Sequence, residues 1–189
     1  MTPNPASKYY GSPDPAFTGT LAGFLAADNV TATYSRNTGE TVGTYTISAV
    51  LAPAGVLSNY AIQYNTATFS ILAWTIQGFY QPVDMTSWNV IKGGQTVPLK
   101  FNVFAGSTEQ KTTAAVKSIQ MAQVSCTNDQ ALNDITTDLA ATGGTALRYD
   151  TTGGQFIFNW STPNGSGKCY NVVMTTADGS SITAQFKTK

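Results

Sequence analysis

The chain has 189 residues, and its ten basic and ten acidic residues give a net charge near zero. Only 11% of its residues are charged, and a balanced surface gives no electrostatic footprint for nucleic acid or anionic lipid. Histidine is absent, which removes the commonest general base and metal ligand and excludes nucleophile systems that depend on histidine. No stretch approaches the roughly 20 apolar residues of a membrane span. We therefore expect a chain without enzyme activity or cofactor, with no nucleic-acid partner and no membrane insertion.

The first half contains short alternating segments separated by glycine, proline and asparagine. Segment 59–64 places Tyr60, Ile62 and Tyr64 on one face, the pattern of a half-buried strand. We predict that it forms a hairpin with 68–71 through a turn at 65–66. The predicted strands of this half are 31–34, 42–51, 59–64 and 68–71.

The second half continues the same alternation. Segment 96–104 places Val97, Leu99, Phe101 and Val103 on one face, while Pro98 within it indicates an edge position or a bulge. Asp178-Gly179 between two alternating runs is a strong hairpin signal. The predicted strands of this half are 88–91, 96–104, 116–125, 146–149, 155–160, 169–174 and 181–186.

Short strands with turns every 8–12 residues predict an all-β chain. Two closed sets of strands predict two tandem antiparallel domains, 1–73 and 74–189, joined near residues 73–77. We expect the second to be an immunoglobulin-like β-sandwich, and the first to be a small β-sandwich or a β-grasp-like module.

The chain has two cysteines, Cys126 and Cys169. An even count in a chain of extracellular character suggests one disulfide, and the alternative is a pair of buried free thiols. A bridge would close a loop of 43 residues and stabilise the fold by roughly 4 kcal/mol. The start of the chain lacks the features of a signal peptide, so we expect the secretion signal to lie on a longer parent protein.

The first half resembles a known family. Its strings follow the order of the MBG domain of the YGX type: Ala6-Ser-Lys-Tyr-Tyr-Gly-Ser-Pro-Asp-Pro15, Gly39-Glu-Thr-Val-Gly-Thr-Tyr-Thr-Ile47, Asn59-Tyr-Ala-Ile-Gln-Tyr64 and Ala67-Thr-Phe-Ser-Ile71. That domain occurs in tandem in bacterial adhesins. Such repeats usually end in Ile-Thr-Pro, whereas this chain reads Ile71-Leu-Ala-Trp74, which fits a change of module at this point.

The second half resembles the PxKF domain over about 78–188. The matching strings are Gly78-Phe-Tyr-Gln-Pro-Val-Asp84, Trp88-Asn-Val-Ile-Lys-Gly-Gly94 and Pro98-Leu-Lys-Phe101. Both cysteines fall where that family's pair would fall, which implies an intradomain bridge. Neither resemblance implies a catalytic activity.

Three features are candidates for chemistry or binding. An oxygen-rich loop with Asp129, Asp134 and Asp138 is a weak calcium candidate, and its alternative is a solvated acidic loop. Lys100 is a candidate for an isopeptide crosslink, which would need a desolvated lysine, and its alternative is protection of an edge strand. Asp14, between two prolines, is expected to accept backbone N–H bonds in a turn.

An aromatic group near the predicted joint is the candidate ligand patch or interdomain contact: Trp74, Phe79, Tyr80 and Trp88. The leading hypothesis is a structural spacer of a bacterial extracellular or surface adhesin, whose partners are the neighbouring modules. The alternatives are a module that binds carbohydrate or a matrix protein, and a fibre subunit that assembles through strand edges.

Overall fold

The computed structural model describes residues 1–128, 130, 132, 137–139 and 146–189. The chain forms two compact units, Met1–Ala73 and Trp74–Lys189, which we call unit 1 and unit 2. Strands dominate both units, which confirms the prediction of an all-β chain. Across the described ranges, every helix is too short to span a membrane.

Unit 1 is built on a mixed four-stranded sheet. Its strands are β1 (Thr2–Pro3), β2 (Ala6–Tyr9), β3 (Gly19–Thr20), β4 (Thr31–Arg36), β5 (Gly43–Ala52) and β6 (Ala67–Leu72). A 3-10 turn spans Ala26–Asp28, and the short helix α1 spans Ala54–Leu57. The sheet order is β2-β6-β5-β4, and β1 pairs separately with β3.

In unit 1, a strand near the start of the unit and its last strand are paired in parallel. Strand β2 pairs with β6 in parallel register, with Ala6 opposite Phe69 and Tyr9 opposite Leu72. The other neighbours in the sheet are antiparallel, β5 with β6 and β4 with β5. Strand β6 is therefore central, with a partner on each side.

The predicted strand at 59–64 is wrong, since this segment forms a bend and an irregular connection. Tyr60 accepts a hydrogen bond from the Leu25 N–H (3.0 Å) and donates one to Asp28, and the Phe24 ring lies edge-on to it at 4.9 Å. Tyr64 is 54% exposed, so the alternation does not mark a buried face. These aromatic residues pack in loops and are not part of a strand ladder.

The core of unit 1 is small. Its fully buried apolar residues are Ile47, Phe69 and Ile71, and the partly buried residues packed against them are Ala6, Tyr10, Phe17, Tyr34, Tyr45 and Ala67. A domain of this size buries a modest share of its surface, so contacts outside the apolar core contribute much of its stability.

Unit 2 contains the longer strands. They are β7 (Thr75–Gly78), β8 (Asn89–Ile91), β9 (Thr96–Ala105), β10 (Thr108–Glu109), β11 (Val116–Val124), β12 (Thr137–Asp138), β13 (Arg148–Asp150), β14 (Gln155–Ser161), β15 (Cys169–Thr176) and β16 (Ser181–Thr188). A 3-10 turn spans Thr113–Ala115.

These strands form two sheets around one core, which confirms the predicted β-sandwich. One sheet has the order β10-β9-β14-β13, with β7 also on β9, and the other has the order β12-β11-β15-β16-β8. Buried residues of both sheets share one apolar cluster. Trp160 of the first sheet packs edge-on against Phe186 of the second at 5.0 Å, and both side chains are fully buried.

Strand β9 shows why Pro98 is tolerated. Its predicted inward residues Val97, Leu99, Phe101 and Val103 are all buried. At Pro98 the strand pairs with β14 on one side, while β7 reaches only the stretch that starts at Phe101. Because proline lacks an N–H, it is placed where the second partner is missing. The predicted edge position is confirmed at this end of β9.

The strings that carry the second resemblance have structural roles. Asp84 and Asn89 exchange two hydrogen bonds of 2.8 Å across one loop, and the Asn89 amide also donates to the Gln185 carbonyl at 3.0 Å. These bonds fix β8 in parallel beside β16. A Cβ on Gly93 would lie 2.3 Å from the Gly165 carbonyl oxygen, so only glycine fits there.

Candidate functional site

The most concentrated polar group in unit 1 is a set of four charged side chains, Lys8, Asp14, Arg36 and Glu40, which we call the charge cluster. Lys8 lies on β2, and Asp14 lies between the two prolines of the following turn. Arg36 ends β4, and Glu40 lies in the β4–β5 connection. The Lys8 Nζ is 2.8 Å from Asp14 Oδ1 and also contacts Glu40, and both side chains that carry positive charge are over nine-tenths buried.

Arg36 uses every one of its five N–H donors. Its Nε and Nη2 bind both oxygens of Asp14 at 2.7 and 3.1 Å, and Nη2 also donates to Glu40. Its Nη1 donates to the carbonyls of Asn37 (3.0 Å) and Gly39 (2.6 Å). A guanidinium has five donors in a fixed fork, so none remains for a ligand. Arg36 therefore has no donor left to bind an anion in the adjoining cavity of about 360 Å³.

The Arg36 side chain also covers the apolar core. Its Cζ lies 4.9 Å from the ring centroid of Phe69 and 5.2 Å from that of Tyr45. Arg36 thus joins the aromatic core to the cluster by stacking on one side and by hydrogen bonding at its edges.

The contacts within the charge cluster favour the ionised forms of its side chains. Hydrogen bonds from Arg36 and then from Lys8 lower the pKa of Asp14 from 3.8 to about 2. Hydrogen bonds from Lys8 and Arg36 also lower the pKa of Glu40. Hydrogen bonds to Asp14 and Glu40 raise the pKa of Lys8. All four groups are charged at neutral pH.

Unit 1 should lose stability in acid through this cluster. The pKa of Asp14 is lower in the folded chain, so its contribution is complete above about pH 4 and disappears as the pH falls towards 2. We expect the unfolding midpoint of unit 1 to drop between pH 4 and pH 2, and to drop much less in Asp14→Asn. Denaturation followed by circular dichroism at several pH values measures both. Equal acid sensitivity of the two proteins would contradict the assignment.

The cluster corrects the sequence-based interpretation of Asp14. That side chain was expected to accept backbone N–H bonds in its turn, whereas its partners are Arg36 and Lys8. Lys8 lies six residues before Asp14 within the matching string, but nothing in the string points to Arg36. Arg36 and Glu40 are four residues apart, but that spacing predicts a contact only on a helix, and these two residues lie at a strand end and in a connection.

Lys8 has the neighbours of a crosslinking lysine but the wrong charge state. An isopeptide would form if a neutral amine attacked the Asp14 carboxyl with loss of water. Arg36 holds that carboxyl ionised, and the surrounding acids hold Lys8 protonated. The same contacts that bring the Lys8 Nζ and the Asp14 Oδ1 to 2.8 Å therefore oppose the reaction.

Lys100 lies on the outer face of β9, opposite Ile157, and is half-buried. Its carbonyl accepts the Tyr80 N–H at 2.8 Å, so β9 has neighbours on both sides here and Lys100 does not guard an open edge.

Intact-mass measurement tests crosslinking at either lysine. We expect the mass of the chain less two hydrogens, the change made by one disulfide. A further loss of one water or one ammonia would contradict this prediction and show a crosslink. Peptide mapping would then assign the loss to Lys8 or to Lys100.

The predicted disulfide is present. Cys126 follows β11 and Cys169 begins β15, with an S–S distance of 2.08 Å and a Cα–Cα distance of 5.3 Å. It joins neighbouring strands, since Val124 lies opposite Cys169. The bond is confined to unit 2.

The aromatic residues proposed as a patch belong to unit 2, and the structure separates their roles. Phe79 is 3% exposed and packs against Phe101 at 5.9 Å, so its ring is not available to a ligand. Trp74, Tyr80 and Trp88 are half-buried. The Trp74 N–H donates to Asp178 Oδ2 at 2.6 Å, and the Ser180 hydroxyl donates to the Trp74 carbonyl at 3.4 Å.

The calcium candidates fall mainly outside the described residues. Asp129 and Asp134 lie outside the described residues. Asp138 is described: it is exposed on β12 and accepts a hydrogen bond from Gln120 at 3.0 Å. Within the described part of the chain, no three acidic or cysteine side chains converge as metal ligands.

Solved structures resemble the chain only loosely. The adhesin InvE of Yersinia pseudotuberculosis matches at 13% identity and a TM-score of 0.37, covering all of this chain and 58% of its own. A Bacteroides ovatus glucan-utilisation protein, SGBP-B, solved with a mixed-linkage heptasaccharide, matches at 13% identity and a TM-score of 0.26, covering 97% of this chain and 42% of its own. The tandem Ig repeats of Dlar match at 12% identity and a TM-score of 0.22, covering 84% of this chain and 74% of their own.

All three TM-scores are below 0.5, so these similarities do not indicate the fold or the function of the chain. The chain spans less than two thirds of the length of InvE. No curated protein matches the chain. The family model of the MBG domain (YGX type) matches residues 1–70. The resemblance of the first half to the MBG domain is therefore confirmed over residues 1–70, which coincide closely with unit 1.

Proposed function

We propose that the chain is a non-catalytic structural spacer from a bacterial extracellular adhesin or surface protein, and that its partners are the neighbouring modules of that protein. The MBG match over residues 1–70 carries the proposal, because that domain type occurs in tandem in adhesins. The charge cluster supports it, since Arg36 spends all its donors inside unit 1.

The disulfide supports an extracellular location. Such bonds persist in oxidising compartments and are rare in the cytosol. Cys126–Cys169 links two adjacent strands of unit 2, which is the character of a structural bond.

We propose that unit 2 is a PxKF-like domain. The string Pro98-Leu-Lys-Phe101 lies in β9, the strand that joins β14 to β7 and β10. Asp84, Asn89 and Gly93 of the other strings hold loops and close backbone contacts. Residues of these types in these places maintain a fold and perform no chemistry.

The alternative is a module that binds carbohydrate or a matrix protein. One observation favours it: unit 1 has an open groove of about 380 Å³ that is lined partly by Phe24, Tyr60 and Gln63. Aromatic rings together with amide groups are typical of sites that bind a ligand by apolar contact and hydrogen bonds. Trp74, Tyr80 and Trp88 of unit 2 are further candidates for stacking.

A glycan array with the intact chain, together with light scattering, separates these functions. The spacer proposal predicts no glycan bound above background and a monomer at all concentrations tested. Binding that is lost in Phe24→Ala but kept in Leu25→Ala, an exposed neighbour, would establish the carbohydrate function instead. Concentration-dependent growth of particles would establish self-assembly into a fibre.

A further inference from the structure

We propose that β2 and β6 of unit 1 form a mechanical clamp, which resists stretching of the chain between its two ends. The inference rests on the proposed spacer function, because only a segment that bears load from end to end would use it. It concerns residues 1–73, all of which the structure describes.

The direction of the two strands carries the argument. Strand β2 begins five residues after Met1, and β6 ends one residue before the last residue of unit 1, Ala73. The two strands are parallel neighbours, with Ala6 opposite Phe69 and Tyr9 opposite Leu72. The row continues with the Tyr10 N–H donating to the Leu72 carbonyl at 3.0 Å.

Stretching the ends therefore slides the strands past each other. After β1 has separated from β3, the force pulls β2 from its beginning and β6 from its end, and in a parallel pair these points lie at opposite ends of the ladder. The load falls on all the hydrogen bonds of the row at once. Two strands pulled from the same end would instead separate one bond at a time.

Lys8 adds a lateral lock to the ladder. Its buried side chain ties β2 to Asp14 and Glu40, which Arg36 holds at the end of β4. Sliding by one residue, about 3.3 Å, turns every side chain of a strand to the other face. Sliding β2 would therefore pull Lys8 out of its ion pairs before the ladder could re-form.

Single-molecule stretching of the full chain tests the clamp. One attachment at Met1 and one at Lys189 load the ladder in shear. Unit 1 releases 73 residues, and unit 2 has 116 residues, of which the disulfide withholds 43, so the two extensions are nearly equal. Adding reductant lengthens only the extension of unit 2, which identifies the unfolding of unit 1.

The matched control loads the same two strands from one end. In Thr66→Cys, an attachment at residue 66, directly before β6, and one at Met1 pull both strands from the same end. At equal force we expect unit 1 to survive at least about ten-fold longer in shear than in peeling, because each bond that must break simultaneously slows rupture about five-fold.

A second variant tests the lock. Lys8→Met keeps the buried stem and removes the ion pairs, and it should shorten the lifetime in shear. Lys117→Met, at an exposed site of β11, should not. Circular dichroism of each variant checks that unit 1 is folded.

Equal lifetimes in the two directions would overturn the clamp and leave the spacer function standing. Glycan binding on the array would overturn the spacer function and leave the direction dependence intact. An unchanged lifetime in Lys8→Met, with the direction dependence present, would overturn the role of Lys8 as the lock.

Discussion

Replacing Cys126 and Cys169 with alanine should lower the free energy of unfolding of unit 2 by about 4 kcal/mol. The disulfide closes a loop of 43 residues, and its loss allows the unfolded chain many more conformations. Alanine is preferred to serine because Cys169 is only 1% exposed, and a hydroxyl there would be buried.

Tryptophan fluorescence during chemical denaturation measures this effect in unit 2 alone. All three tryptophans, Trp74, Trp88 and Trp160, lie in unit 2. Reduction of the unmodified chain is the control, since it should shift the same transition by a similar amount. The transition of unit 1, followed by circular dichroism, should not move. A fluorescence midpoint that is insensitive to reduction would show that the bond does not stabilise the fold.

The strands of unit 2 could be predicted because their signal is local. Alternation over 96–104 directly reports which residues of β9 face the core, and the burial of Val97 to Val103 follows it. The turn at Asp178-Gly179 also joins β15 and β16 as an antiparallel pair. A period of two and a turn signal need no knowledge of distant residues.

The parallel pairing in unit 1 could not be predicted in this way. Strand β2 is four residues long, and its partner β6 is about 60 residues away. The alternation at 59–64 offered a nearer partner and led to a hairpin that does not exist. The loop around Tyr60 wins because its hydroxyl and ring find partners in Leu25, Asp28 and Phe24.

The charge cluster lies beyond the reach of sequence patterns for the same reason. Lys8, Asp14, Arg36 and Glu40 come from a strand, a turn, a second strand and a connection. Charged residues usually lie on the surface, so the default expectation for each was exposure. The strands β2 and β4 are the outer strands of the sheet, so it is the segments that follow them, which carry Asp14 and Glu40, that bring the four residues together.

Replacing Arg36 with methionine should lower the free energy of unfolding of unit 1 by about 3 kcal/mol, because removing one partner of a buried ion pair leaves the other uncompensated. Methionine keeps an apolar stem over Phe69 and removes all five donors. The apolar core contains few fully buried residues, so we expect a large share of unit 1 to be unfolded at physiological temperature. Circular dichroism and limited proteolysis of residues 1–73 measure this loss.

Arg148→Met is the matched control, since Arg148 is the other arginine of the chain and is exposed on β13. It should leave both units unchanged. The double variant Arg36→Met, Asp14→Leu sharpens the test, because it removes the guanidinium together with the carboxylate that it neutralises and leaves Lys8 paired with Glu40. It should be more stable than Arg36→Met alone. The opposite result is a double variant that loses as much stability, relative to the unmodified chain, as Arg36→Met and Asp14→Leu lose together. In that case Arg36 stabilises unit 1 through its stacking on Phe69 and Tyr45, and the ion pairs contribute independently.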